Sequence, residues 1–190
     1  MRRRHCLPFL LLAAWSAPLF PQEVESPDSA KDATVWALDD MDKVHPITGI
    51  LLSEGEEIYN GLKPSKANYR NHNSVWDGST RTIKLMAGRN EFVGFQIVIE
   101  KGREDLHKIF VNATDLLGSN ERISADSNVR LFKQLYVPGG GSWYPDALVP
   151  FEIAGVTPLE LPDYAGPIRG QRVQPVWVDI YVPHDRAPGT

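Results

Sequence analysis

The chain has 190 residues and a formal net charge of −4 at neutral pH, and Cys6 is its single cysteine. One cysteine excludes an internal disulfide and a zinc site built from several cysteines. Apart from Arg2, Arg3 and Arg4 at its start, the chain has no cluster of lysine and arginine residues. An acidic chain of this kind is a poor partner for phosphate backbones and anionic membrane surfaces, so the composition disfavours nucleic-acid binding.

Residues 1–16 are predicted to be a signal peptide. A basic start is followed by a short apolar run, Leu7 to Trp15, and small residues at Ala14 and Ser16 favour cleavage after Ser16. The run is shorter than the roughly 20 residues that span a bilayer, so we expect no membrane span after cleavage; an uncleaved anchor is the alternative. Cleavage leaves 17 Lys+Arg against 24 Asp+Glu, a net charge of −7, and no cysteine. The sequence therefore predicts an exported bacterial protein, periplasmic or extracellular.

Residues 17–33 are predicted to form a polar linker, and residues 34–190 a single β domain. From Thr34 onward the apolar residues alternate with a period of two, and turn-forming residues separate the runs. The strand candidates are Thr34–Leu38, Thr82–Met86, Glu91–Glu100, His107–Ala113, Val129–Val137 and Val176–Val182. Short strands without intervening helices predict an all-β fold, an antiparallel β-sandwich of Ig-like or jelly-roll-like type.

The strand candidate Glu91–Glu100 is apolar on both faces. Val93, Phe95 and Ile97 share one face, and Phe92 and Val98 share the other. Side chains on a strand alternate between its two faces, so this pattern predicts a central strand that is covered on both sides.

Residues 138–174 are predicted to form one long ordered loop. This segment holds six prolines and six glycines, which disfavour a regular strand pattern. Its aromatic residues argue against disorder, because such side chains seek burial or a partner; they are Trp143, Tyr144, Phe151 and Tyr164.

The printed sequence stops soon after a strong strand. Pro188-Gly189 followed by Thr190 is typical of a turn that leads into another strand. A strand edge left without its partner is unfavourable, so we expect a domain truncated within its C-terminal hairpin.

The sequence predicts no catalytic residue, no metal and no cofactor. The histidines, His45, His72, His107 and His184, are widely separated and lack metal-ligand spacing. The acidic group Asp39, Asp40 and Asp42 lacks the glycine and the bidentate glutamate of a calcium loop. No nucleophile elbow and no phosphate-binding loop occurs.

The residues that could bind a partner are mostly aromatic. Trp177, Asp179 and Tyr181 alternate with the apolar stripe of the last strand, so we expect them on its outer face, where Trp143 and Tyr144 could join them. Aromatic rings beside a carboxylate are typical of sugar binding. The alternative is packing against a following domain, because large exposed aromatic patches mark interfaces.

Three motifs, in order along the chain, carry a family resemblance. They are Arg89–Gln96, Tyr144–Pro150 and Gln174–Pro183, the last followed by Ala187-Pro188-Gly189-Thr190. Together they resemble the N-terminal domain of glycoside hydrolase family 123 and related glycoside hydrolase-like proteins.

This resemblance implies a β-sandwich that precedes a (β/α)₈ barrel in the same polypeptide. In that family the barrel removes N-acetylgalactosamine by a retaining mechanism in which the substrate's acetamido group assists, an exception to the usual two-carboxylate scheme. The resemblance places the catalytic carboxylates in the barrel, so none is carried over to this chain.

Four further residues of these motifs are expected to have structural roles. Asn90 and Glu91 stand at a turn-to-strand entry, where they can cap the bend and fix the strand's register. Gln96 lies in a strand covered on both sides and needs hydrogen-bond partners, because an unpaired buried amide costs about 1–3 kcal/mol. Asp146 belongs to the second motif.

Three hypotheses for the function follow. The first is a non-catalytic accessory domain that packs against the barrel of an exported glycoside hydrolase. The second is an autonomous carbohydrate-binding module that uses Trp143, Tyr144, Trp177 and Tyr181. The third is a structural Ig-like spacer.

Overall fold

The computed structural model describes residues 33–54, 68–118 and 121–187. The predicted signal peptide, nearly all of the predicted linker and the chain end Pro188–Thr190 lie outside these ranges. The strands are β1 Ala33–Asp39, β2 Trp76–Asp77, β3 Thr82–Ile83, β4 Glu91–Lys101, β5 Leu106–Ile109, β6 Leu116–Leu117, β7 Arg122–Ile123, β8 Val129–Gly139, β9 Ser142–Pro150, β10 Leu159–Leu161 and β11 Val173–Val182. A 3₁₀ turn spans Leu52–Glu54, and the short helix α1 spans Ala125–Asn128. In the described ranges no helix has the length and apolar character needed to cross a membrane.

The main feature of the fold is a five-stranded antiparallel sheet in the order β1-β4-β11-β8-β9. The sheet is open, and three two-stranded ribbons, β10-β5, β2-β3 and β6-β7, accompany it. The predicted all-β antiparallel fold is confirmed. The second layer consists of short ribbons and connecting segments rather than one long sheet.

Strand β4 is central, as its two-sided apolar pattern predicts. It pairs with β1 from Ala33↔Lys101 to Asp39↔Phe95, and with β11 from Val173↔Glu100 to Val182↔Glu91. Side chains on both of its faces are buried, Phe95 on one and Val98 on the other.

Residues 138–174 differ from the predicted loop, because β9 and β10 lie within this segment. Gly140 and Gly141 adopt positive φ angles of 54° and 83° and join β8 to β9 as a hairpin. Pro145 and Pro150 are accommodated because β9 is an edge strand, where a residue without an N–H group is tolerated. Other predicted strands are shorter than expected: Thr82–Met86 is a strand only at Thr82–Ile83.

The two faces of the sheet are defined by β11. Its inner face carries Val176, Val178 and Ile180, which are all buried, as the alternation predicts. The ribbon β10-β5 covers part of this face, where Val176 and Ile99 pack with side chains of the ribbon: Leu106, Leu159 and Leu161. We call the opposite side, which carries Trp177, the outer face.

One end of the outer face is covered by residues 42–51 and 69–76, which we call the cover. Trp36, Leu38 and Val98 lie on this face, because Trp36 pairs with Val98 and Leu38 with Gln96, the residue opposite Trp177. They belong to one core cluster with apolar side chains of the cover, and this cluster also includes Phe95 and Val178 of the inner face; the cover residues are Val44, Leu51, Tyr69 and Trp76. This cover supplies the second layer on that side.

A charged group holds the cover on the sheet. Arg70 Nε donates to Glu100 Oε1 at 2.8 Å, and its Nη2 atom donates to the Gly49 carbonyl at 3.0 Å. The same Glu100 oxygen accepts a 3.0 Å bond from Trp36 Nε1, and the guanidinium lies 5.6 Å from the Trp36 ring centroid. Gly49 has a φ of 67°, and a Cβ atom there would lie 2.5 Å from Glu100 Oε1, so glycine is required. Charge, stacking and close backbone approach all meet at this point.

Gln96 supplies a second tie between the sheet and the cover. Its side chain is fully buried, and its Nε2 atom donates to the carbonyls of Asp39 at 2.7 Å and Asp42 at 2.6 Å. The expected need for partners is therefore met at the nitrogen. Its Oε1 atom has no hydrogen-bond partner in the part of the chain that the structure describes.

We expect the substitution Arg70→Ala to lower the free energy of unfolding by about 2–3 kcal/mol, because it leaves the Glu100 carboxylate, whose side chain is 19% exposed, without its cation. Arg70→Lys should fall between Arg70→Ala and the wild type, because an ammonium cannot reproduce the planar fork. Urea denaturation followed by circular dichroism measures both. Arg89→Ala, at an exposed position, is the control and should change stability by less than about 0.5 kcal/mol. An equal loss for Arg70→Ala and Arg89→Ala would contradict the role of the pair.

Candidate functional site

The uncovered end of the outer face carries an aromatic patch, which we call the outer-face patch. It consists of Phe92, Gly94, Trp177, Asp179 and Tyr181. Phe92 pairs with Tyr181 and Gly94 pairs with Asp179 across β4 and β11, so all five residues lie on the same face. The structure thus brings together the three β11 residues that the sequence singles out.

Trp177 is held in one position by its neighbours. Its Nε1 atom donates to Asp179 Oδ1 at 2.6 Å. The edge of its ring lies over Gly94, where a Cβ atom would come within 2.8 Å of Trp177 Cζ2. The absence of a side chain at Gly94 therefore lets the indole lie down against the sheet.

Tyr181 is fixed from two sides. Its hydroxyl donates to Asn90 Oδ1 at 2.7 Å, and its ring lies against that of Phe92 with centroids 4.9 Å apart. Aromatic pairs at this separation are favourable. Phe92 remains 64% exposed, so the pair leaves a large apolar surface open to solvent.

Asn90 and Glu91 form the entry to β4. Asn90 has a φ of 60°, a left-handed conformation that asparagine tolerates better than most residues, and its N–H donates to the Val182 carbonyl at 2.8 Å. Glu91 Oε2 accepts a hydrogen bond from the backbone N–H of Gly88. The Glu91 side chain thus closes the turn before β4, and the Asn90 backbone joins the start of β4 to the end of β11.

Trp143 and Tyr144 lie apart from the patch, on β9. Trp143 pairs with Pro138 and Tyr144 with Val137, whereas Trp177 pairs with Phe132 further along β8. Counting along β8 from Phe132, Pro138 is six residues away and on the same face, and Val137 is five away and on the opposite face. Trp143 therefore shares the face of Trp177 at the far end of the sheet, and Tyr144 points to the other side.

Lys43 lies between the patch and β9. Its Nζ atom is 5.8 Å from the centroid of the Trp177 ring and donates to the Pro145 carbonyl at 3.3 Å. The same atom is 3.7 Å from Asp146 Oδ1. Asp146 is the extra residue of a β-bulge, since Leu135 pairs with Ala147 and Tyr136 with Pro145. Its side chain is 70% exposed, which makes the Lys43 pair a weak one.

Phe92, Gly94 and Lys43 belong to this site and are missing from the sequence prediction. Phe92 and Gly94 lie on β4, a strand that the sequence predicts to be covered on both sides. That prediction makes Phe92 a buried core residue and not part of an exposed site. The signal that points to them is the register of β4 against β11, which sets Phe92 opposite Tyr181 and Gly94 opposite Asp179. Lys43 contacts Trp177 only through the fold of the cover, and nothing in the local sequence indicates that contact.

A second group of ionisable side chains lies beside the ribbon β10-β5. His107 Nδ1 and Glu160 Oε2 are 2.5 Å apart, and the hydrogen bond from His107 lowers the pKa of the Glu160 carboxyl. Hydrogen bonds from Lys101 and then Tyr164 lower the pKa of Asp105, and the bond to Asp105 raises the pKa of the Tyr164 phenol. These groups pair with one another and join β5, β10 and the following loop.

The outer-face patch offers stacking surfaces and a carboxylate, and no activated nucleophile is present in it. Within the described ranges no three or more His, Cys, Asp or Glu residues converge as metal ligands. This geometry suits the binding of an apolar protein surface or of a flat ring such as that of a sugar. No protein-family model and no curated protein matches the chain.

We expect Gly94→Ala to lower the free energy of unfolding by about 1–2 kcal/mol, because the new methyl group displaces the Trp177 ring from its place against the sheet. The matched control is the same substitution in a Trp177→Ala background. There the cost should vanish, because no ring remains to be displaced. Urea denaturation of the four proteins in this double-mutant cycle provides the measurement. An equal cost in both backgrounds would show that the indole does not lie over Gly94.

Proposed function

We propose that this chain is the non-catalytic N-terminal accessory domain of an exported glycoside hydrolase of the family 123 type, and that its outer-face patch packs against the catalytic (β/α)₈ barrel of the same polypeptide. The observation that carries the proposal is the chemistry of the patch. The indole N–H and the phenol of the patch are already bonded, to Asp179 and Asn90 respectively, and its apolar surface stays open.

The hydrogen bonds within the patch favour a protein partner over a sugar. Trp177 Nε1 is bonded to Asp179, and the Tyr181 hydroxyl is bonded to Asn90. Sugar recognition needs polar groups that can bond hydroxyls, whereas a protein interface has an apolar core with a polar rim. Phe92, at 64% exposed, supplies such a core.

The three motifs behind the family resemblance give independent support, because each falls on a strand of the five-stranded sheet. The first opens β4, the second covers most of β9 and the third covers most of β11. Residues of the first and third motifs meet in the patch through the Tyr181–Asn90 hydrogen bond. In its first and third motifs the resemblance therefore concerns residues that meet on one surface.

The alternative is an autonomous carbohydrate-binding module. It is favoured by the Asp179 carboxylate beside Trp177, with the Lys43 ammonium near the same ring. Trp143 and Tyr144, which lie on opposite faces of β9, do not extend that platform together.

The proposal predicts that the gene continues past Thr190 into a barrel domain. In that full-length protein, Phe92→Asp should loosen the contact between the two domains, because a charge would be buried without a partner. Met86→Asp is the matched control, since Met86 is an equally apolar side chain, 96% exposed and outside the patch. Limited proteolysis at the domain boundary measures the difference: Phe92→Asp should be cleaved about tenfold faster than Met86→Asp.

Equal cleavage of the two variants would contradict docking through the patch. Affinity electrophoresis of the present chain against a panel of polysaccharides tests the alternative. Retardation that is lost in Trp177→Ala would favour the carbohydrate-binding module instead. Hydrolysis of aryl N-acetylhexosaminides by this chain alone would contradict its non-catalytic character.

A further inference from the structure

One edge of the main sheet is the side of β1 that faces away from β4, and near the start of β1 its backbone groups have no partner among the described residues. The N–H of Lys101 on β4 donates to the Arg172 carbonyl next to β11, so the odd-numbered residues of β4 direct their backbone groups towards β11. The even-numbered residues of β4 then bond to β1. Glu100 and Val98, for example, bond their partners Thr34 and Trp36.

It follows that Ala33, Val35 and Ala37 direct their N–H and C=O groups away from β4. The cover provides an independent check, because Asn73 Nδ2 donates to the Ala37 carbonyl at 2.7 Å from that side. Ala37 is thus capped. Val35 is 42% exposed, and its outward N–H and C=O groups have no cap in the described part of the chain.

An apolar groove of about 570 Å³ runs beside this free stretch of edge, on the inner face. Ala33 and Val35 form one side of it, and Ile97 and Ile99 of β4 are also part of its lining. The far wall is formed by the ribbon and the residues after it: Leu106, His107, Ile109, Phe110 and Val111. The ribbon β10-β5 covers the middle of the inner face and leaves this lateral strip unfilled.

We propose that the edge at Ala33–Val35 accepts a short extended segment of a partner polypeptide as an added antiparallel strand. The backbone of the segment bonds the outward N–H and C=O groups of Ala33 and Val35. Its residues opposite these two direct their side chains to the inner face, into the groove, and must be aliphatic. The side chains between them lie beside exposed Thr34 and are polar. This surface is separate from the outer-face patch, so it does not depend on the proposed function.

Two other occupants fit less well. In a second copy of β1 paired antiparallel about Val35, Ala33 of one chain would lie opposite Ala37 of the other. The Asn73 side chain blocks that position, because it already bonds the outward carbonyl of Ala37. A hairpin formed by the residues before Ala33 would set Ser29 and Pro27 opposite Ala33 and Val35 with a three-residue loop, or Ala30 and Asp28 with a two-residue loop. In the first register Pro27 lacks the N–H group that the Val35 carbonyl needs, and in the second Asp28 would place a charge in the apolar groove.

The test uses the ¹⁵N-labelled chain and the synthetic peptide acetyl-Lys-Thr-Val-Thr-Val-Thr-Lys-amide. Amide hydrogen exchange measured by NMR should show fast exchange at Val35 and slow exchange at Trp36 in the free chain. Saturating peptide should slow the exchange of the Val35 amide by about tenfold or more. Methylation of the two valine nitrogens should abolish binding, because those N–H groups face β1. Methylation of the central threonine nitrogen should leave binding intact, because that group faces away.

Val35→Lys should weaken peptide binding by about tenfold, because a charge then projects into the groove, and Thr34→Lys, on the opposite face, should have little effect. If the Val35 amide of the free chain exchanges slowly at every protein concentration, residues of the same chain pair with this edge, and the proposal is overturned. Protection that grows with protein concentration, together with dimers in sedimentation, would overturn it in favour of a second copy. Equal binding of the two methylated peptides would also overturn it.

Discussion

Arg70, Glu100 and Trp36 form the group that holds the cover on the main sheet. One carboxylate oxygen accepts hydrogen bonds from the guanidinium at 2.8 Å and from the indole at 3.0 Å, and the guanidinium also bonds the Gly49 carbonyl. This group joins the central strand, the edge strand and the cover. The cover forms no strand pairs with the main sheet, so it is held there by this group together with the bonds of Gln96 and of the Pro46 carbonyl.

The position of the cover decides which surfaces remain available. The cover buries Trp36, Leu38 and Val98 and ends near Lys43, whose ammonium lies beside Trp177. Beyond that point the outer face carries the aromatic patch, with Phe132 and Arg130 of β8 paired beside Trp177 and Asp179. At the edge of β1 the cover reaches Ala37 through Asn73 and leaves Val35 free. The patch and the free edge are therefore two consequences of one packing arrangement.

The sequence predicts the strands that alternate strongly, and fails where distant contacts decide the structure. The period of two in β4 and β11 identifies both strands, the buried stripe and the shared face of Trp177, Asp179 and Tyr181. The prolines and glycines near β9 led to the prediction of a loop there. The structure accommodates them, because a proline is tolerated on an edge strand and the hairpin turn needs glycines. The Arg70–Glu100 pair joins residues 30 positions apart, and no local pattern indicates it. Likewise Phe92 reads as a core residue until its partner strand is known.

Hydroxyl-radical footprinting of the intact chain measures whether the cover protects one end of the outer face and leaves the other end open. We expect slow oxidation of Trp36, which is 1% exposed beneath the cover, and fast oxidation of Phe92 at the open end of the same face. Trp36 and Phe92 lie on adjacent strands of one sheet, so a difference between their oxidation rates reports protection by the cover and not a difference in strand pairing. Equal oxidation of Trp36 and Phe92 would show that the cover does not protect this end of the outer face.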